Sequence, residues 1–151
     1  METIAKIFFK PEPKRESKRG KVWDIQATCS VLESNLCRHL PFLHALLGCD
    51  TTSRLFGIGK AVGLKKTTQL YQHAEVFYYT NSLKEDVIKA GERALVEVYG
   101  GKGSDSLEAL RHRRFCQKTA KSTTAVEVKS LPPTSSAAKF HSLRVYYQVQ
   151  L

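Results

Sequence analysis

Along most of this chain the apolar positions recur at three- and four-residue intervals, the spacing of a helix with one face turned inward. Leu83, Val87, Gly91, Ala94, Leu95 and Val98 keep that spacing best. Asn81 or Ser82 is placed to begin this helix and Gly100-Gly101 to stop it. A second helix is expected from Ser34 through Leu36, Leu40, Leu43, Leu46 and Leu47. Pro41 marks a break or kink inside it, because proline lacks the amide that the preceding turn uses. Thr51, Thr52 and Ser53 offer capping oxygens for a short turn at Arg54-Leu55-Phe56, and residues 60–73 then read as a basic helix. Ser104 or Asp105 caps the next, through Leu107, Leu110 and Phe115. The last helix, from about Ser135, sets Ala138, Val145 and Val149 on one face and Phe140, Leu143 and Tyr147 on another, so burial on both sides is expected.

Between these segments lie connectors. Residues 1–9 are a short apolar start, either a strand or a packed extension, and the proline-containing, mixed-charge stretch after them reads as an exposed linker. Residues 121–136 join the last two helices, with Val126 and Val128 extended. The pattern therefore predicts a mostly α-helical protein, with a basic N-terminal extension over residues 1–22 and a helical region over 23–151. At 151 residues this is one domain's worth of chain.

Charge narrows the class of partner. The formal net charge of +10 favours a polyanion, nucleic acid first. The excess is clustered. Residues 1–21 carry seven bases against three acids; residues 51–74 carry four bases and residues 111–121 five, neither segment with an acid. The two acid-free segments suit phosphate contact, and equally suit solvated helix faces. Four cysteines without close pairing, no secretory leader and no membrane-length apolar run predict a reduced, intracellular protein, with the nucleus as one alternative, and no membrane partner.

Chemistry concentrates between Phe42 and Lys66. Gly57-Ile58-Gly59 has the form of the hairpin in a helix-hairpin-helix element: glycines let backbone approach a phosphate, and the free amides of the next helix attract the anion. Lys60, Lys65 and Lys66 add counter-charge, with Arg111, Arg113 and Arg114 as a second group. Asp50, following Leu46-Leu47-Gly48-Cys49, is either a helix-terminating residue or a magnesium ligand; the second role needs further carboxylates. Cys37, His39, His44 and Cys49 do not match the usual zinc-finger spacing. Tyr78-Tyr79 and Tyr146-Tyr147 each read as one core ring beside one boundary ring, with base stacking as the alternative.

The order of apolar helix, Gly-x-Asp, short turn, Gly-x-Gly and basic helix resembles a segment of flap endonucleases and related PIN-like nucleases. There a metal-binding aspartate precedes a helix-hairpin-helix that grips duplex DNA. A broader resemblance covers most of residues 23–150. Gly48 to Ser53, with Leu131 to Thr134 and Tyr146 to Gln148, are similar to the box and tail of a mobile-element-associated family that carries a PIN-like nuclease half followed by a helical tail. The resemblance implies DNA binding and, at Asp50, a magnesium ligand.

The departures bear on catalysis. Upstream of Asp50 stand only Glu2, Glu12, Glu16, Asp24 and Glu33, without an Asp-x-Asp or Glu-x-Glu cluster, and no parallel sheet is evident to display them. The residue after Gly59 is Lys60 rather than proline. The expectation is a non-catalytic, sequence-independent DNA-binding remnant of a PIN-like α/β nuclease fold, without a cofactor of its own. Magnesium at Asp50 would require a protein partner that supplies the missing nuclease half. The alternatives are a helical protein-interaction module without nucleic-acid binding and a metal-dependent nuclease subunit needing carboxylates from elsewhere.

Overall fold

The computed structural model describes residues 6–12 and 21–151, and the chain is mostly helical. It divides into two compact units, residues 1–38 and 39–151, and the boundary falls inside one helix. Lys14, Arg15, Lys18 and Arg19 of the basic arm lie outside the described residues.

In the first unit, β1 (Phe8–Phe9) pairs antiparallel with β2 (Trp23–Asp24), Phe9 opposite Trp23. Of the apolar start, Phe8 and Phe9 are thus strand, paired with the beginning of the helical region, and residues 1–5 lie outside the described residues. Helix α1 (Ile25–Val31) follows at once, because the Asp24 carboxylate accepts the Ala27 amide at 2.9 Å, an N-cap. Ile7, Phe8, Phe9, Val22 and Trp23 are each at least half exposed.

Helix α2 (Ser34–Leu46) crosses the boundary and runs through Pro41 without a break in its assignment. Its buried residues are His39, Phe42, Leu43, Ala45 and Leu46, while Leu40 is exposed. The helix expected over 60–73 is two: α3 (Lys60–Leu64) and α4 (Thr67–Ala74). They separate at Lys65-Lys66, where Lys66 leaves helical geometry and the Thr67 hydroxyl bonds the Leu64 carbonyl at 3.2 Å. A single-turn 3-10 helix, Glu75–Phe77, leads on to α5 (Lys84–Val98).

Helix α5 is the centre of the second unit and packs most extensively on α7 (Ser135–Gln150). The two approach closely at Gly91, where a Cβ would stand 2.0 Å from the Ser142 hydroxyl. Val87, Ala94, Leu95 and Val98 carry the expected buried stripe, but Leu83 precedes the helix and is exposed. Gly100-Gly101 stops α5 in a Schellman turn: the Gly101 amide bonds Val96 O at 2.8 Å and the Gly100 amide bonds Glu97 O at 2.9 Å.

Helix α6 (Leu107–Thr119) is capped by Ser106 rather than Ser104 or Asp105, its hydroxyl taking the Ala109 amide at 3.1 Å. Leu107 and Leu110 are buried, whereas Phe115 is exposed. In the connector after it, Val128–Ser130 forms a 3-10 turn. Helix α7 buries one face only. Ala138, His141, Ser142, Val145 and Tyr146 are inside, while Phe140 and Tyr147 are more than half exposed. Polar His141 and Ser142 complete the inward face, which a count of apolar residues alone does not reveal. Within the Tyr146-Tyr147 pair, the division into core and boundary holds: the Tyr146 hydroxyl reaches the carbonyls of Tyr79 and Thr80 at 2.9 and 2.7 Å. No helix among the described residues is long and apolar enough to cross a membrane.

Candidate nucleic-acid interface

The Gly-Cys-Asp-Thr-Thr-Ser stretch is the C-terminal cap of α2. Gly48 turns the chain at φ +100°, and a Cβ there would lie 2.7 Å from the Arg54 Cα, so only glycine fits. The Thr52 hydroxyl donates to Ala45 O at 2.7 Å and accepts the Cys49 amide at 3.0 Å. His141 Nε2, on α7, donates to Leu46 O at 2.9 Å. Thr51 and Ser53 reach α7 as well, through Gln148 and Arg144. The box and the tail that looked like separate signatures are therefore in mutual contact. Burial pushes the Cys49 thiol up, but the hydroxyls and amides of Thr51 and Thr52 outweigh it and bring it down to about 7.

Asp50 sits exposed in this cap. Among the described residues, no group of three or more His, Cys, Asp or Glu side chains could hold a metal ion. A single exposed carboxylate does not fit magnesium, which keeps its waters unless several oxygens replace them.

Beyond the cap, Gly57 (φ +72°) and Gly59 have open space where a side chain would stand. The amides of Gly57, Gly59, Lys60 and Ala61 meet no acceptor among the described residues. Helix α3 has only five residues, so its dipole adds little and cations must supply most of the attraction. Gly63 is buried against Leu47, which holds α3 on the end of α2.

The expected basic residues have different fates. Lys60 and Lys65 are exposed, and neither ammonium has a hydrogen bond or ion pair to any described residue. Lys66 instead donates to the carbonyls of Glu97 and Val98 at 2.8 and 3.0 Å, capping α5. Arg114 completes that cap through Tyr99 O at 2.8 Å. Arg111 donates to Pro132 O. Arg113 forms a two-armed pair with Asp105, at 2.7 and 3.1 Å, which holds the Asp105 carboxyl well below the usual carboxylate range.

Three adjoining recesses gather further cations around Arg111 and Arg114. One, of about 460 Å³, is walled by Arg54 and the Gly57–Lys60 turn. It shares Arg54 and Leu55 with a second of about 600 Å³, where Arg111, Lys129 and Arg144 also stand. Phe56 joins that one to a third of about 530 Å³, lined by Arg114, Lys118, Lys121 and Glu127. Eight cations and one carboxylate thus line the band. Arg144 and Lys129 were invisible to the sequence reading because each stands outside the acid-free segments; only the docking of α7 and the 121–134 connector brings them in. No family model, no curated protein and no solved structure matches the chain.

Proposed function

We propose that this protein binds nucleic-acid phosphates without sequence preference, DNA foremost, along the band from the Gly57–Lys60 turn to Lys121. The observation that carries the proposal is the run of three linked recesses with eight cations against Glu127 alone. Backbone amides without acceptors stand at one end of the band, and an exposed aromatic ring, Phe56, near its middle. Such a surface gathers phosphates by charge and releases them as salt rises. The Gly57–Gly59 turn and the short α3 serve as a helix-hairpin-helix-like contact. The chain is the distal, non-catalytic portion of a PIN-like, flap-endonuclease-related protein of mobile-element origin, and Asp50 becomes a metal ligand only where a partner chain adds carboxylates.

Fluorescence anisotropy with labelled duplex DNA across a salt series tests this. Lys60→Glu with Lys121→Glu, at the two ends of the band, should weaken binding by at least about tenfold and make the salt slope shallower by about two. Arg113→Glu, outside the band, should change binding far less. Equal losses from both variants, or salt-independent binding, would refute the reading.

A second reading, a protein-interaction module, is favoured by the exposed apolar residues on β1 and β2, since a two-stranded ladder is marginal alone in water. It predicts that Phe9→Ser with Trp23→Ser abolishes a protein partner's binding and that the parent chain shows no salt-dependent binding to DNA.

A further inference from the structure

The middle recess gathers the most cations of the three. About 600 Å³ is within the range of small-molecule sites. No Asp or Glu lines it, although Arg54, Arg111, Lys129 and Arg144 all do. Arg54 makes no hydrogen bond to a described residue. Arg144 spends one N–H on the Ser53 hydroxyl at 3.3 Å and Arg111 one on a carbonyl, so each retains donors from its five. Lys129 is already paired with Glu127 at 3.0 Å, so the cations left to meet an anion are Arg54, Arg111 and Arg144.

The rest of the wall is flat and apolar: the Phe56 ring, Leu131 and Pro133. Lys129 Nζ lies 5.6 Å from the centre of that ring. His141 also lines the cavity. Its Nε2 is committed to Leu46 O, while its buried Nδ1 has no partner and offers a lone pair to a donor. Anion donors, an aromatic platform and one neutral acceptor are what a phosphate, a base and a sugar or base donor require.

We infer that this cavity holds a single nucleotide, its phosphate against Arg54, Arg111 and Arg144 and its base on Phe56. The inference rests on the nucleic-acid reading for its ligand class, and the nucleotide is either free or one residue of a strand.

Calorimetric titration of the full chain with thymidine 5′-monophosphate, thymidine and inorganic phosphate tests it. The monophosphate should bind saturably and at least about tenfold tighter than either fragment. Phe56→Ala, at an exposed position, should weaken the monophosphate about tenfold and leave phosphate unchanged. Arg144→Gln should weaken both, with the melting temperature reporting that the variant is folded. Monophosphate binding no tighter than thymidine, binding equal to that of bare phosphate, or indifference to Phe56→Ala would each overturn the inference. Displacement of the monophosphate by oligothymidylate assigns the site to a strand; retention assigns it to free nucleotide. If duplex DNA binds through Lys60 and Lys121 while the monophosphate does not bind, this inference fails and the function stands. If the monophosphate binds and no DNA does, the function fails and the pocket stands.

Discussion

The C-terminal ends of α2 and α5 solve one problem with different chemistry. Both leave carbonyls that no helical amide can reach. At α2 the remedy is neutral: a threonine hydroxyl from the following loop and an imidazole from α7. At α5 it is a glycine turn plus two cations, Lys66 and Arg114, drawn from the basic segments. The negative end of a helix favours positive charge, so the second arrangement is electrostatically the better one. The comparison teaches that a basic residue in an acid-free segment is not thereby free. A helix end nearby can claim it first.

The sharpest way to break the α2 end is Gly48→Ala. The positive φ and the 2.7 Å approach to backbone at Arg54 leave no relaxed conformation, so a loss of about 3 kcal/mol is expected in chemical denaturation. A loss under about 1 kcal/mol would mean that the loop re-forms and that the cap is not what holds it.

Lys66→Met tests the α5 end. It keeps the stem and removes the ammonium from two carbonyls, and a loss of about 2 kcal/mol is expected. Lys66→Arg should recover part of it. If Lys66→Met leaves stability unchanged yet abolishes DNA binding, Lys66 belongs with the band and the contrast between the two ends collapses.

These fates explain how much was legible in the sequence. The start of α7, the stripe of α5 and its stop at Gly100-Gly101 are local, and residue spacing and turn chemistry state them. The division of 60–73 at Lys65-Lys66 is not local, because it depends on where the α5 carbonyls lie. The same holds for the box around Asp50. Its sequence resembles a metal site, but Thr52 and Gly48 are used to end a helix, and His141, 95 residues past Leu46, is used with them. Of the eight residues singled out for nucleic acid, Gly57, Gly59, Lys60 and Lys65 stay open to contact. Lys66 and Arg114 cap α5, Arg111 holds Pro132, and Arg113 is paired with Asp105. Charge counts cannot separate these groups, since carbonyl acceptors do not appear in them.

Thr52→Val weakens the α2 end more gently. It keeps the shape while leaving Ala45 O and the Cys49 amide without the hydroxyl, at a cost of about 1–2 kcal/mol. Thr52→Ser should restore most of it, and failure to do so would make the methyl group, not the hydrogen bond, the reason for threonine.

The smallest effect at neutral pH, and the most diagnostic, comes from His141→Gln. Leu46 O can only accept, so Nε2 carries the hydrogen. The glutamine amide can occupy the same place, and the loss at pH 7 should be under about 1 kcal/mol. Burial lowers the imidazole's pKa, opposed by the Leu46 bond and reinforced by Arg144 nearby. The unfolded chain therefore takes up this proton at a higher pH than the folded one. The contribution of neutral His141 is whole above the ordinary histidine value of about 6.5 and is lost as pH falls from there through the lowered folded value. The parent should thus destabilise on acidification between pH 7 and 5 more steeply than His141→Gln, and the two stability curves should converge. Lys66→Met should leave that slope as it is, because Lys66 is not among the groups that shift His141. Parallel curves for the parent and His141→Gln would show that folding leaves the imidazole's proton affinity unchanged, and this end of the comparison would then take up charge as readily as the unfolded chain does.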